Sequence, residues 1–397
     1  MKPDQIVHIV LSENVPPTWG GVARVAFNVC ATLADTGSPT VLCGFDRYVA
    51  DPLYRNQKFT VLPIPSRGWK MAKDLVMIRV LWRIARQYRK QPIILYALTW
   101  KLARVARFIT KAMNWRLVVF AHGLEVTKQL AGGGKPAMMK VFHTADLCLG
   151  VSRYTADVLI ATGIPEKKVQ VLNNSVDIRE FYPCASTQEI NDVKTLRNKM
   201  LGGNGIVILT LARVIPRKGQ DSVIRALAQL RQQLPPDQAP IRYVIAGRGP
   251  EPELARLKTL ARDLGVSDQV VFWGYVPAEQ MRTCYNACDI YVMNSRIIDR
   301  NQDVEGFGIT FLEASACAKP VIGGNSGGIP DAVAEGVSGY LVDPEDIDAL
   351  AERLRKLITD PELRRTLGNN GLRRVQQEFT IPAIGQRLLT LVAPLQR

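Results

Sequence analysis

The stretch that decides how this chain folds is residues 303–331, which read DVEGFGITFLEASACAKPVIGGNSGGIPD. Two carboxylates, Glu305 and Glu313, stand eight residues apart in it, and Gly306-Phe307-Gly308 follows the first. The glycines permit a tight loop, and the apolar run 309–318 predicts a helix directly after it. Such a helix start favours a phosphate ligand. Glu305 could then reach a sugar and Glu313 a ribose, unless both are solvated.

The whole string resembles the donor-site signature of glycosyltransferase family 4, whose members are retaining enzymes with the GT-B fold. Residues 305–313 match the family pattern E-G-F-G-x-x-x-x-E in full, and the continuation 318–322 with Gly327-Gly328 also fits. The resemblance implies an α/β protein with two Rossmann-like, doubly wound parallel-sheet domains facing a central cleft. It places a run of donor-binding residues in the signature, namely Glu305, Gly306, Phe307, Gly308, Ile309 and Glu313.

Length and composition are those of an ordinary globular protein. A chain of 397 residues is long for one core and favours two domains. Seven cysteines without paired metal-ligand spacing indicate a reduced, cytoplasmic chain. The first apolar run, residues 6–11, is too short for a signal peptide, and no window approaches the ~18 apolar residues of a membrane span. We therefore expect neither export nor a membrane span.

Alternating strand and helix patterns in the first half predict a doubly wound parallel sheet, whose ligands lie beyond the carboxyl ends of the strands. Gly20 and Gly21 follow the first strand and open a helix. Family 4 has such a pair against the donor diphosphate and the acceptor; the alternative is a turn without a ligand. His122 follows the strand at 117–120, where the family has a His that approaches the donor sugar. The alternative is a structural histidine.

We predict an interdomain linker at residues 184–205, which are polar and read as irregular. Residues 1–183 then form an N-terminal acceptor-binding domain, and residues 206–379 form a C-terminal domain that binds the nucleotide sugar. By resemblance to GT-B proteins, a C-terminal helix at about 380–397 is expected to pack back on the first domain.

Basic residues follow the first strand of the second domain. Arg213 and Lys218 flank a turn before a helix, and a guanidinium fork with a point charge suits a diphosphate. Both match the family's Arg…Lys-Gly pattern, Arg217 is a less certain neighbour, and a solvated basic loop is the alternative. In the family two later strand ends line the nucleotide pocket, which adds Gly247, Tyr275 and Val276 to the donor site.

Sugar transfer from a nucleotide needs positive charge on the leaving diphosphate and fixed groups beside a cation-like ring. The positive charge can come from Arg213, Lys218 and the helix start after Gly308. The groups beside the ring can be Glu305 and His122. We take the four side chains Arg213, Lys218, Glu305 and His122 as catalytic. We expect no metal and no other cofactor, because the sequence has no acidic cluster typical of a required metal. The co-substrate is then a GDP- or UDP-linked hexose, and the resemblance implies retention of anomeric configuration.

Positive charge is concentrated in the first half. Net charge is +15, and residues 1–184 hold 25 Lys+Arg against 12 Asp+Glu. Between residues 67 and 116 there are 13 Lys+Arg and one acid. Helical spacing places many of these cations on one arc, and this basic surface comprises Arg79, Arg83, Arg86, Lys90, Arg104, Arg107 and Lys111. Anionic lipid attracts such a surface by roughly 1 kcal/mol per residue; a solvated face is the alternative.

The sequence thus predicts a glycosyltransferase, peripheral on the cytoplasmic face of the inner membrane, that moves a hexose to a lipid or lipid-linked acceptor. Its sequence motifs resemble most those of bacterial mannosyltransferases that act on lipid acceptors. The alternatives are transfer to a soluble or polysaccharide acceptor, a non-transferring GT-B enzyme such as an epimerase or a phosphorylase, and a basic membrane- or nucleic-acid-binding module with a degenerate site. Nucleic acid is disfavoured because the basic half lacks interleaved surface aromatics. No oligomeric state follows.

Overall fold

The chain forms two compact units in a computed structural model. Unit 1 comprises Met1–Asn174 and Ile381–Arg397, and unit 2 comprises Ser175–Thr380. The structure describes residues 5–16, 20–45, 54–64, 70–130, 132–202, 204–235, 239–298 and 303–396.

Unit 1 is built on a parallel sheet of seven strands. They are β1 (Val7–Ser12), β2 (Thr40–Phe45), β3 (Thr60–Ile64), β4 (Ile93–Ala97), β5 (Arg116–Ala121), β6 (Leu147–Gly150) and β7 (Val169–Val171), in the order β3-β2-β1-β4-β5-β6-β7. Every residue of β1 and β4 is buried. Helices cover both faces of such a sheet, so its central strands are continuous apolar runs and do not alternate.

The helices of unit 1 expose polar faces and bury apolar ones. They are α1 (Gly21–Asp35), α2 (Lys70–Gln87), α3 (Trp100–Ala112), α4 (Leu124–Leu130), α5 (Lys135–Thr144) and α6 (Arg153–Ala161). In α2, Met77, Leu81 and Ile84 recur at steps of four and three and are buried in the core. This spacing puts them on one side of the helix and leaves the basic side chains between them in solvent.

Unit 2 is built on a second parallel sheet, of six strands. They are β8 (Ile206–Leu211), β9 (Ile241–Ala246), β10 (Val270–Gly274), β11 (Ile290–Met293), β12 (Val321–Gly324) and β13 (Gly339–Val342), in the order β10-β9-β8-β11-β12-β13. The strand order reverses between β8 and β11. Ligands of open α/β sheets bind at such a switch point, outside the carboxyl ends of the strands.

The remaining α-helices all lie after residue 186. They are α7 (Thr187–Leu201), α8 (Gln220–Gln233), α9 (Glu251–Asp263), α10 (Ala278–Ala287), α11 (Ile309–Ala316), α12 (Ile329–Ala332), α13 (Ile347–Thr359), α14 (Pro361–Arg374) and α15 (Ile381–Val392). The last of these, α15, belongs to unit 1 and packs against α1. Within the described ranges, no helix combines the length and the apolar character that crossing a bilayer requires.

Helix α7 lies where the sequence predicted an irregular linker, so that prediction is wrong for residues 187–201. Ser186 caps the helix by accepting the Glu189 N–H at 3.2 Å, and the Glu189 carboxylate accepts the Ser186 N–H at 3.1 Å. Glu189 also pairs with Arg282 of α10 at 2.8 Å. The polar composition of this stretch therefore serves a capping box and an ion pair, and the boundary between units falls after Asn174.

Candidate active site

The signature residues form the joint between the loop after β11 and helix α11. Gly308 precedes α11 with a φ of +92°, the left-handed region that favours glycine. A Cβ at this position would lie 2.7 Å from the Phe311 ring. Gly308 has no side chain to cap the helix, and the first turn carries no acidic residue. The start of α11 therefore offers N–H groups and its dipole to an anion.

Glu305 lies in a network of two acids and two bases. Its Oε2 accepts hydrogen bonds from Lys218 Nζ at 2.6 Å and from Arg217 Nη1. Arg217 Nε in turn lies 2.9 Å from Asp303 Oδ1. The Arg217 and Lys218 side chains are only 5% and 10% exposed. Their two positive charges balance the two carboxylates, which is the condition for burying charges at all.

The surrounding cations keep Glu305 ionised. Burial alone would raise the pKa of the Glu305 carboxyl, but the charges of Lys218 and Arg217 outweigh burial and lower this pKa to about 2. Burial lowers the pKa of Lys218 from its ordinary value, and the charge of Glu305 opposes that effect. Glu305 therefore carries a fixed negative charge throughout the neutral pH range.

The second glycine pair of the signature fixes the backbone at Glu305. The Gly328 N–H donates to the Glu305 carbonyl at 2.9 Å. Gly327 has a φ of +57°, and a Cβ on it would lie 2.5 Å both from that carbonyl oxygen and from a Val304 methyl. A larger residue at 327 would push the loop away. The continuation of the signature thus holds the carboxylate loop in place.

Glu313 is buried within unit 2. It lies on α11, is 3% exposed, and accepts a hydrogen bond from the Tyr285 hydroxyl of α10 at 2.7 Å. Burial, together with the Glu313 carboxylate, raises the pKa of Tyr285 well above its ordinary value. The alternative that Glu313 is a solvated helix residue is therefore wrong. Its contact with a ribose stays a prediction.

The basic turn after β8 divides into one exposed and two buried cations. Arg213 is exposed, and its carbonyl accepts a hydrogen bond from Gln220 Nε2 at 3.0 Å. Arg217 and Lys218 are buried against Glu305. A solvated basic loop, the alternative weighed from the sequence, describes Arg213 alone.

The ends of β9 and β10 lie side by side in the sheet; that they line a nucleotide pocket stays a prediction. The Gly247 N–H donates to the Gly274 carbonyl at 2.6 Å. Tyr275 follows directly and is 55% exposed, whereas Val276 is buried. The carboxyl ends of these strands face the same edge of the sheet as the basic turn and α11, because all six strands are parallel.

The three predicted site residues of unit 1 also follow strand ends. Gly20 precedes α1 in extended backbone, and a Cβ on it would meet nothing within 4 Å, so no internal packing requires glycine there. Gly21 is the first residue of α1. Burial lowers the pKa of His122, although the charge of Glu125 opposes this. The His122 Nε2 is buried without a hydrogen-bond partner among the described residues.

Two family models match the two halves of the chain. "Glycosyltransferase Family 4" matches residues 19–180, and "Glycosyl transferases group 1" matches residues 193–374. A relative from Mycolicibacterium smegmatis is 34% identical over 292 residues, 74% of each chain. The chain belongs to glycosyltransferase family 4. The relative is named GDP-mannose-dependent alpha-(1-6)-phosphatidylinositol monomannoside mannosyltransferase.

Other comparisons extend over nearly the whole length of this glycosyltransferase. A Corynebacterium glutamicum protein is 29% identical over 97% of both chains, and is named GDP-mannose-dependent monoacylated alpha-(1-6)-phosphatidylinositol monomannoside mannosyltransferase. The crystal structure of Anabaena HepE in complex with UDP matches with a TM-score of 0.78 at 22% identity, covering 98% of this chain and all of that one. The fold prediction is thereby confirmed: two Rossmann-like parallel sheets of the GT-B type.

Sequence reasoning missed two members of the carboxylate network of this glycosyltransferase. Asp303 received no role, and Arg217 was placed below its neighbours Arg213 and Lys218. Arg217 meets Glu305 across 88 residues of chain, and Asp303 joins the network through its own contact with the distant Arg217. A local signal did exist, since an Asp-x-Glu pair and an Arg-Lys pair both lie at predicted strand ends. Within the described ranges, no group of three or more His, Cys, Asp or Glu residues is arranged to hold a metal ion.

Proposed function

We propose that this glycosyltransferase moves mannose from GDP-mannose to a hydroxyl of a phosphatidylinositol mannoside lipid, with retention of anomeric configuration. The observation that carries the proposal is the pair of relatives at 34% and 29% identity, both named as GDP-mannose-dependent phosphatidylinositol monomannoside mannosyltransferases. The second of them covers 97% of this chain. The proposal thus narrows the donor predicted from the sequence, a GDP- or UDP-linked hexose, to GDP-mannose. It also narrows the predicted lipid acceptor to the phosphatidylinositol mannosides.

The geometry of unit 2 supports a reaction in which charge separates. A sugar that leaves a diphosphate becomes cation-like, and a fixed negative charge such as that of Glu305 stabilises it. The exposed Arg213 and the start of α11 are available to the diphosphate, with Lys218 shared between Glu305 and the leaving group. These groups supply positive charge from the protein itself, so the proposal includes no metal ion and no further cofactor.

His122 of unit 1 fits a role beside the sugar. Its buried Nε2 has no partner among the described residues, and a buried polar atom without a partner costs free energy unless a ligand satisfies it. Because burial lowers the pKa of His122, the ring is neutral at pH 7 and can donate or accept one hydrogen bond. We assign it to a hydroxyl of the donor sugar.

We further infer that the enzyme docks on an anionic membrane, on the cytoplasmic face, to reach its lipid. Of the basic surface, Arg79, Arg83, Arg86, Lys90 and Lys111 are exposed. Arg104 pairs with Asp74, the single acid of residues 67–116, at 2.7 Å, and the Arg107 guanidinium lies 4.3 Å from the centre of the Phe108 ring. Five exposed cations, none of them in an ion pair among the described residues, therefore face solvent with little compensating charge.

Apolar side chains on the same helices support docking over a merely solvated face. Unit 1 exposes four large apolar side chains among its described residues, and all lie on α2, on α3 or in the turn after α3: Leu75, Trp82, Phe108 and Met113, at 57%, 45%, 62% and 37% exposure. The Arg86 guanidinium lies 4.2 Å from the Trp82 ring centre. Aromatic and apolar groups among cations are typical of surfaces that enter the lipid interface.

The donor assignment is tested by ligand-induced stabilisation. GDP, UDP and ADP are compared at one concentration in thermal unfolding, with EDTA present. GDP should raise the melting temperature most, since a ligand at about 100 times its Kd adds about 2.7 kcal/mol to the free energy of unfolding. A larger shift with UDP than with GDP would contradict GDP-mannose as the donor. Loss of the GDP shift in EDTA would contradict binding without a metal ion.

A further inference from the structure

We propose that Arg248 reads the guanine base of the donor nucleotide, and that Tyr275 holds the Arg248 guanidinium in position for this contact. The inference rests on the proposed GDP-mannose donor and deepens it, because it names the side chain that distinguishes guanine from other bases. It requires that Arg248 has a fixed backbone, an ordered side chain and free hydrogen-bond donors.

The backbone of Arg248 is held against the segment after β8. The Val214 N–H donates to the Arg248 carbonyl at 2.8 Å. Gly247, with a φ of +148°, lies so close to the Ala212 carbonyl that a Cβ would collide with it, and a Cβ on Gly249 would collide with the Val214 carbonyl. Glycine on both sides lets the segment approach this closely. Arg248 therefore projects from a rigid frame.

The guanidinium of Arg248 is stacked and otherwise unpaired. Its Cζ lies 4.1 Å from the centre of the Tyr275 ring, and none of the described residues accepts a hydrogen bond from it. Among the described aromatic residues of unit 2, Tyr275 alone is exposed, at 55%. Stacking orders the planar guanidinium while leaving its N–H donors free at the edge.

The position of this pair suits the base of a nucleotide whose diphosphate lies at α11. The strand order β10-β9-β8-β11 puts the Arg248–Tyr275 pair two strands from the switch point, about 10 Å across the sheet edge. The basic turn of Arg213 to Lys218 follows β8, between the two. A nucleoside diphosphate laid along the strand ends would place its base at the pair.

Guanine is the base that a free arginine fork recognises best. It presents O6 and N7 as adjacent acceptors, and arginine donates to both at once. Uracil has no such pair, and adenine has a donor in place of O6. Lysine keeps the charge but cannot form the two parallel bonds.

The test is the dissociation constant of GDP, 7-deaza-GDP and UDP for the full chain, measured by calorimetry. Wild type should bind GDP more tightly than 7-deaza-GDP, which lacks the N7 acceptor. Arg248→Ala and Arg248→Lys should each weaken GDP roughly 10- to 100-fold, leave UDP unchanged and abolish the preference for N7. Tyr275→Ala should weaken GDP and Tyr275→Phe should not, because phenylalanine keeps the ring.

Arg353→Ala is the matched control. Arg353 also stacks on a tyrosine, with its Cζ 4.4 Å from the Tyr340 ring centre, but Tyr340 belongs to β13 at the opposite edge of the sheet. This variant should bind GDP as wild type does. Wild type that prefers UDP would overturn the GDP donor and this inference together. Two results would overturn the inference alone, provided that wild type prefers GDP. In the first, Arg248→Ala binds GDP as tightly as wild type does; in the second, the substitution weakens all three ligands equally.

Discussion

Glu305 is the residue whose surroundings explain most about the site. Two buried cations, Arg217 and Lys218, donate to the same carboxylate oxygen, and Asp303 balances the remaining charge. Such an arrangement costs desolvation and is retained only where every charge has a partner. It gives the proposed reaction a carboxylate that stays ionised, since the pKa of Glu305 is lowered to about 2.

The two signature carboxylates should fail in different ways when neutralised. Glu305→Gln should depress turnover about 100-fold, as loss of one preorganised charged group does, and should leave GDP affinity near wild type. Glu313→Gln should weaken GDP itself, through the predicted ribose contact. Turnover and GDP affinity are measured on both variants. If the two variants behave alike in both assays, this division of roles is wrong.

Arg213 and Lys218 should separate catalysis from stability. Either alanine variant should lower turnover about 100-fold if both cations assist the leaving diphosphate. Arg213→Ala should unfold like wild type because Arg213 is exposed, whereas Lys218→Ala should lose roughly 1–3 kcal/mol because it removes a partner from buried Glu305. Kinetics and urea unfolding measure the two effects. Equal stability of both variants would contradict the buried contact between Lys218 and Glu305. Wild-type turnover in either variant would contradict that residue's role in assisting the leaving diphosphate.

At the scale of elements, the strands were predictable and the polar helix α7 was not. Buried parallel strands read as continuous apolar runs, so β1, β8 and their neighbours follow from the sequence. Helix α7 carries few apolar residues and is specified by a capping box and by contacts with α10. Its Ser186-x-x-Glu189 spacing was a local signal, but packing against a distant helix is not visible in a local pattern.

The site, like the fold, was predictable from the sequence where its features are local and was not predictable where they depend on distant segments. Glu305 and Gly308 were predicted as site residues from one local motif, a glycine-rich loop before an apolar helix, together with its resemblance to the family signature; their contact with a ligand stays a prediction. Partnerships such as Arg217 with Asp303, or Arg248 with Tyr275, join segments that only the sheet order brings together. No periodicity in one segment can predict them.

Helix α2 carries the prediction about the membrane. Changing Arg79, Arg83 and Arg86 together to Glu should abolish co-sedimentation with anionic liposomes, because these exposed cations supply the attraction, and salt should weaken binding of wild type. Trp82→Ala with Phe108→Ala should weaken binding at high salt as well, since it removes exposed apolar area that would be buried in the lipid interface.

The matched control reverses three exposed arginines of unit 2: Arg225, Arg262 and Arg365. It changes net charge by the same amount as the α2 variant, so it should sediment with the liposomes as wild type does. Equal loss of liposome binding in both triple variants would show that binding depends on the net charge of the protein and not on the basic surface of α2. Wild type that partitions equally onto neutral vesicles, or that does not bind anionic ones, would leave a soluble acceptor as the better account.

At the scale of the whole molecule, charge divides the chain as the proposed roles do. Residues 1–184 carry 25 Lys+Arg against 12 Asp+Glu, and the remaining residues carry 26 against 24. The excess of positive charge therefore lies almost wholly in the half assigned to the lipid acceptor. In the half assigned to the donor, acids nearly balance the basic residues in number, and two of the basic residues, Arg217 and Lys218, are buried beside Glu305.

The most direct test of the proposed function is transfer itself. The purified enzyme is given GDP-mannose labelled in the sugar and a phosphatidylinositol mannoside in anionic liposomes, with EDTA, and the lipid product is isolated. The account predicts one labelled α-mannosyl residue on the lipid for each GDP released, with retained configuration. An unlabelled lipid alongside labelling from a UDP-sugar would contradict it, as would an epimerised nucleotide sugar formed without acceptor.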